Sequence, residues 1–419
     1  MNYLSLNTIF NYKKRMASLQ KLLFLLIAFY LSLGFGQSQE IINTKIAGID
    51  RDMSCQSNPE HTYHIFVPSA IPDDKQLPLL VVIDPYGNGK LAVAGFKDAA
   101  RKYEAVVACS DLVKVNDDKY LQELEELISD IKQRFPAGDE LYIGGFSAGA
   151  RMALNFANKH PVNGVFACNT IPKHEEVQLL KYKVMSIISM DDVNFIEAAP
   201  FVLDPAKIPS NLFIEMTKAA NTWSEEEILQ QAIGYLLFAT PSGNMMEKRK
   251  KIREYVDQQK RLIDSLDQAN EDLQAALIVR NLMSSVVFER EGSFMAFLDQ
   301  QMESINYQRQ NDELRNSIQF ETGMRKNYYD AIAQKDSAWW KAEIELLNSK
   351  IKTEKNEYTR LTYKRIKGFL GIVCYELSNR FAGEKDAQKL EQVLTVYRMV
   401  EPRNPDMLQF SKVLNQIKQ

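Results

Sequence analysis

Residues 141–151 read Leu-Tyr-Ile-Gly-Gly-Phe-Ser-Ala-Gly-Ala-Arg, an apolar run that passes through a Gly-x-Ser-x-Gly turn into a helical stretch. Few backbones accept such a sequence. A serine on a sharp strand-to-helix turn needs flanking positions without side chains, because a Cβ there would meet the neighbouring strand or helix. The N–H after the serine then stays free to face a developing negative charge. The pattern predicts a strand at Leu141–Ile143, the turn at Ser147 and a helix over Ala148–His160. It makes Ser147 a candidate nucleophile and the Ala148 N–H a candidate oxyanion donor. An ordinary tight turn is the competing reading.

The surrounding sequence supplies a matching frame. Apolar runs suited to strands occur at Tyr63–Val67, Leu79–Ile83, Ala105–Cys109, Gly164–Cys168, Val184–Ile188 and Leu212–Glu215. Helical periodicity separates them at Lys90–Tyr103, Tyr120–Phe135 and Ser224–Phe238, the last with a capping-box spacing of Ser224 and Glu227. Unbroken runs such as Leu-Leu-Val-Val-Ile belong to strands covered on both faces. The alternation predicts an α/β fold with a mostly parallel sheet, whose ligand sites lie at the carboxyl ends of the strands.

Lys13, Lys14, Arg15 and Lys21 precede an apolar run from Leu22 to Leu33 and small residues at Gly34 and Gly36. This is the layout of an export signal over residues 1–36, too short in its apolar part for a comfortable membrane span. Translation from Met16 would give that signal a shorter basic segment, and an uncleaved anchor is the alternative. No cysteine near Gly36 suggests a lipid anchor, so a secreted or periplasmic chain is expected. The first 36 residues hold four basic and no acidic side chains, so their removal takes the net charge from −3 to −7. That balance argues against a nucleic-acid partner. Cys55, Cys109, Cys168 and Cys374 are too scattered for a disulfide framework, and no His or Cys pair has zinc-site spacing. No metal and no other cofactor is expected.

The elbow, Pro78-Leu-Leu-Val-Val-Ile-Asp-Pro-Tyr-Gly-Asn-Gly89 and Met190-Asp-Asp-Val-Asn-Phe195 together resemble the α/β-hydrolase fold. Within it they look most like secreted bacterial esterases of the polyhydroxybutyrate-depolymerase and feruloyl-esterase type, over residues 60–240. The resemblance implies one oxyanion donor from the loop after Ile83. Pro85 has no N–H, so that donor is Tyr86 or Gly87. It also implies a triad acid at Asp192, with Asp191 as the neighbouring alternative. The family's histidine position aligns with Asn221 in Ala220-Asn-Thr-Trp223, and asparagine cannot accept the serine proton.

Four histidines are available elsewhere. His160 is thirteen residues beyond Ser147 on one helix, about 20 Å away at 1.5 Å per residue, and is excluded. His61 and His64 fall on an early strand and its approach. His174 follows Cys168-Asn-Thr170 and could reach the serine if its loop folds inward.

Thr240-Pro-Ser-Gly-Asn244 reads as a linker, and helical patterns fill the chain beyond it. Ile252, Tyr255 and Val256 with Leu262, Leu266 and Leu273 predict a long amphipathic helix with a break near Gln268–Glu271, then helices at Ser293–Gln308, Gly323–Gln334, Ala338–Lys352, Arg360–Asn379 and Lys385–Val400. Adjacent Trp339 and Trp340 must divide between core and rim. Gly368 to Pro402 resembles one tetratricopeptide-type helix pair, without an upstream repeat.

The expected layout is a signal at 1–36, an extension at 37–49, an α/β-hydrolase domain at 50–240, a linker at 241–245 and an all-α domain at 246–419. Two functions remain open. One is a serine hydrolase acting on a small ester or peptide-like ligand, with Ser147 and Asp192 and an unidentified base. The other is a non-catalytic hydrolase-fold protein that binds a ligand there or a protein partner through its C-terminal helices.

Overall fold

The computed structural model describes residues 48–69, 71, 75–115, 118–217, 223–239, 245–289 and 294–419. The expected signal and extension up to residue 47, most of the linker and Asn221 lie outside the described residues.

Eight strands form one sheet: β1 (Ile49–Ser54), β2 (Thr62–Val67), β3 (Leu77–Ile83), β4 (Val106–Ser110), β5 (Ala137–Phe146), β6 (Gly164–Cys168), β7 (Lys183–Ser189) and β8 (Leu212–Thr217). Their order is β1-β2-β4-β3-β5-β6-β7-β8, with β2 antiparallel to both neighbours and β3 to β8 parallel. This is the α/β architecture with a mostly parallel sheet that the alternating pattern predicts. β3 shows why the frame forms: Leu79 to Ile83 are at most 2% exposed. Side chains buried on both faces demand helices above and below. β1 goes unforeseen because Ile49-Asp-Arg-Asp-Met-Ser54 is mostly solvent-facing and carries no apolar alternation.

The helices within the sheet region are α1 (Gly89–Ala94), α2 (Lys97–Tyr103), α3 (Tyr120–Arg134), α4 (Ala148–Ala157), α5 (His174–Val177), α6 (Phe195–Val202) and α7 (Glu226–Ala239). Two expectations change. The single helix over Lys90–Tyr103 is two, because the chain turns at Gly95 to bury Phe96 completely. The capping box at Ser224 does not form: α7 begins at Glu226, and Ser224 is hydrogen-bonded to buried Cys168.

An all-α region follows: α8 (Met245–Gln268), α9 (Asp272–Met283), α10 (Val286–Glu289), α11 (Met295–Glu303), α12 (Ile305–Ile332), α13 (Ser337–Thr353), α14 (Glu357–Gly383), α15 (Ala387–Val400) and α16 (Pro405–Ile417). The break after Gln268 falls where expected. The helices expected at Ser293–Gln308 and Gly323–Gln334 are instead divided at Ser304, whose extended backbone starts α12 and whose hydroxyl accepts the Tyr307 N–H. α12 then runs unbroken for 28 residues. Its polar middle stays helical because Gln310, Asn311 and Glu321 are buried with partners rather than solvated.

Tyr328, Trp340, Ile344, Leu370, Leu390, Leu394 and Tyr397 belong to one core shared by α12 to α15. Each fully buried aliphatic side chain there stabilises by roughly 1.5–3 kcal/mol relative to exposure. α9 lies against β8 and is buried along nearly its whole length. Its Asn281 accepts the Ile214 N–H through Oδ1 at 3.2 Å and donates through Nδ2 to the Ile214 carbonyl at 2.9 Å. Among the described residues no helix is long and apolar enough to cross a membrane.

Candidate active site

The elbow is built from β5, β3 and α4. Ile83 pairs with Gly145 and Phe146 with Cys168, so Ser147 emerges at the carboxyl end of the sheet. Its backbone sits at φ 53°, ψ −117°, a conformation that L-residues rarely adopt. A Cβ at Gly145 would come within 2.5 Å of the Ile83 carbonyl, and one at Gly149 within 2.4 Å. The glycines are therefore required by contact between the turn and β3. Ser147 donates its N–H to the Cys168 carbonyl at 2.8 Å, and the Thr170 hydroxyl donates to the Ser147 carbonyl at 3.0 Å. These bonds fix the backbone and leave the half-buried Ser147 Oγ without a partner among the described residues. The Ala148 N–H opens α4 and is likewise unpaired, as the first N–H groups of a helix are.

The loop after β3 behaves differently from a hydrolase's oxyanion arm. Buried Asp84 turns its carboxylate into the loop: Oδ1 accepts the N–H groups of Tyr86 at 2.9 Å and Asn88 at 3.2 Å. The Gly87 N–H donates to the Asp84 carbonyl at 3.1 Å. Both expected donors, Tyr86 and Gly87, thus point inward, and the Tyr86 side chain is 80% exposed. Asp84 Oδ2 accepts the indole N–H of Trp223 at 3.1 Å. That ring packs against Phe146, the residue before Ser147, at 5.7 Å and against buried Phe96 at 5.7 Å.

Asp192 lies buried in the loop after β7, where burial holds its carboxyl above the ordinary aspartate range. Its Oδ1 accepts the Asn194 N–H at 2.8 Å, and Asn194 donates its side-chain amide to the Asn169 carbonyl. Asn169 in turn receives the Ser189 N–H, so the ends of β6 and β7 are tied together beside Ser147. Asp191, the alternative acid, is paired with Lys364 of α14 at 2.9 Å.

The C-terminal helices grip this same loop. Arg365 donates to the Met190 carbonyl and Arg325 to the Val193 carbonyl at 2.8 Å. Both guanidinium groups meet Glu321, which is 0% exposed, at 2.6 Å and 2.5 Å. The Arg365 guanidinium also stacks over Phe195 at 5.0 Å. Sequence reading misses this cluster, since Glu321 and Arg365 lie on polar helical stretches that read as solvated.

Three of the four histidines are engaged away from Ser147. His61 Nε2 meets Ser110 Oγ at 2.8 Å, with Nδ1 3.7 Å from Glu126. Ser110 Oγ also accepts the Leu112 and Val113 N–H groups, so its own proton goes to His61. This serine–histidine–glutamate line has triad order. Its serine is only 2% exposed with both lone pairs used, which closes it to a substrate. Burial lowers the His61 pKa. His64 spans Asp52 at 2.6 Å and Asp50 at 2.9 Å. His160 stacks on Phe156 at 4.2 Å and meets Glu125 at 3.4 Å. His174 opens α5, four residues after Thr170; its side chain and Asn221 lie outside the described residues. Among the described residues no three His, Cys, Asp or Glu side chains gather as metal ligands.

No family model and no curated protein matches the sequence. Solved structures similar in fold include fluorophosphonate-binding serine hydrolase F of Staphylococcus aureus, at 11% identity over 45% of this chain and 98% of that one, TM-score 0.37. A poly(3-hydroxybutyrate) depolymerase from Bordetella parapertussis is 11% identical over 49% of this chain and 94% of that one, TM-score 0.33. A lidless α/β serine hydrolase from Xanthomonas campestris is 14% identical over 47% of this chain and 97% of that one, TM-score 0.34.

Proposed function

We propose that this chain is a non-hydrolytic α/β-hydrolase-fold protein that holds a small carbonyl- or carboxylate-bearing ligand at the Ser147 mouth. The observation that carries the reading is Asp84: its carboxylate and carbonyl take the Tyr86, Gly87 and Asn88 N–H groups that an oxyanion would need. With those N–H groups taken, an anionic intermediate at Ser147 would keep only the Ala148 N–H. The Ala148 N–H at the start of α4 remains for a ligand oxygen, and Phe146 and Trp223 supply apolar contact. The loop carrying Asp192 is held by Arg325 and Arg365, so the helical region serves as its scaffold. The same reading takes residues 1–36 as a cleaved export signal, residues 50–240 and 246–419 as the sheet and helical domains, and the helices as a surface for a protein partner.

A fluorophosphonate probe tests it. The expected result is no covalent labelling of the folded chain and the same ester turnover in wild type and Ser147→Ala. Labelling that disappears in Ser147→Ala would overturn the proposal. One observation favours a hydrolytic second reading: Thr170 is bonded to Ser147, bringing the segment that leads to His174 beside the elbow. Labelling abolished by both Ser147→Ala and His174→Ala would establish that reading, with His174 as the base.

A further inference from the structure

A groove of about 470 Å³ opens between the end of α12 and the start of α13, lined among others by Tyr328, Asp330, Gln334, Lys335, Trp339 and Glu343. The two tryptophans divide as helical geometry demands. Trp340 is 1% exposed in the core, whereas Trp339 is half-exposed on the groove wall. Trp339 is fixed from behind by edge contacts to Tyr328 at 6.2 Å and Trp340 at 5.0 Å. Its ring already receives a cation: Lys335 Nζ lies 5.6 Å from the centroid. Lys335 has no ion pair among the described residues, so nothing but the ring holds it there.

The groove's anions are in excess. Glu343 follows Trp339 by one helical turn and accepts the Tyr328 hydroxyl through Oε2 at 2.8 Å, with Oε1 unpartnered among the described residues. Asp330 adds a second carboxylate, exposed and also unpartnered among the described residues. Two carboxylates face one displaceable lysine beside an aromatic plane.

We propose that this groove takes an arginine side chain of a basic peptide partner. The guanidinium stacks on Trp339 in place of the Lys335 ammonium, and its N–H groups meet Glu343 and Asp330. Arginine suits the site better than lysine because its planar cation stacks on an aromatic face while its fork of donors meets carboxylates. The inference does not depend on what Ser147 does.

The chain contains three tryptophans, so 5-fluorotryptophan labelling gives three fluorine resonances in the full-length protein, with Trp339 assigned through Trp339→Phe. N-acetyl-arginine amide is titrated against N-acetyl-citrulline amide, which matches it in shape and lacks the charge. The Trp339 resonance is expected to shift and saturate with the arginine compound alone, while the Trp223 and Trp340 resonances stay in place. Glu343→Gln, which keeps an acceptor for Tyr328, is expected to weaken binding about two- to fivefold, the size of one exposed charged contact. Equal saturation by the citrulline compound, no saturable shift of Trp339, or unchanged affinity in a Glu343→Gln/Asp330→Asn variant would each overturn the proposal.

Discussion

Ser147 is held at φ 53° by bonds on both sides of its peptide, to Cys168 and from Thr170. A non-glycine residue in such a region stores about 1–3 kcal/mol that the surroundings must supply. Ser147→Gly relieves it and adds some unfolded-state freedom, for a net stabilisation of about 1 kcal/mol; Ser147→Ala keeps the Cβ and gains nothing. Urea midpoints of the two variants check this, and a glycine variant no more stable than the alanine one would place no strain at the turn. The elbow was legible in the sequence because its determinants are local: two glycines that meet Ile83 and a strand before them. The fate of the Tyr86 and Gly87 N–H groups was not. It depends on how Asp84 turns, and Asp84 is held by Trp223, 139 residues away.

α12 and α14 meet through Glu321, Arg325 and Arg365, a network with almost no water access. Removing one member of a buried ion cluster leaves an uncompensated charge, so Glu321→Ala is expected to cost about 3–5 kcal/mol. Glu321→Met combined with Arg365→Met should cost less than the sum of the two single changes, because Arg365 is no longer stranded and only Arg325, which keeps its bond to the Val193 carbonyl, loses its carboxylate. Chemical denaturation of the three variants tests the coupling, and additive costs would refute it. The sequence pattern foretold helices in this region and mistook their limits. Apolar periodicity fades across residues 308–322, where buried amides and Glu321 stand in core positions that periodicity assigns to apolar side chains. Ser304 falls inside the stretch that the periodicity reads as one helix, Ser293–Gln308, so the boundary it makes carries no mark in the apolar pattern.

Stability of the chain against pH should carry the mark of Glu215 on β8. It lines a cavity of about 10 Å³, room for one water, with Tyr235, Tyr255, Gln259 and Asn281. Burial pushes its carboxyl from about 4.5 up to about 8. Between those values the folded chain keeps a proton that the unfolded chain has released, so stability falls as pH rises from about 4.5 to about 8 and then levels. Glu215→Gln should flatten that decline and stabilise the protein by a few kcal/mol at pH 8.5, with little change at pH 4. Urea unfolding at the two pH values measures it; parallel profiles for the variant and the parent would contradict the buried-carboxyl account.

The bond pair between Asn281 and Ile214 has a consequence for the order of assembly. β8 ends the sheet, and the Asn281 amide meets its main chain with one donor and one acceptor, as a residue of a ninth strand would. That side chain lies 67 residues further along the sequence. A ribosome therefore completes the last strand well before it makes the group that covers it. During that interval the outer edge is open to other chains. α9 closes it.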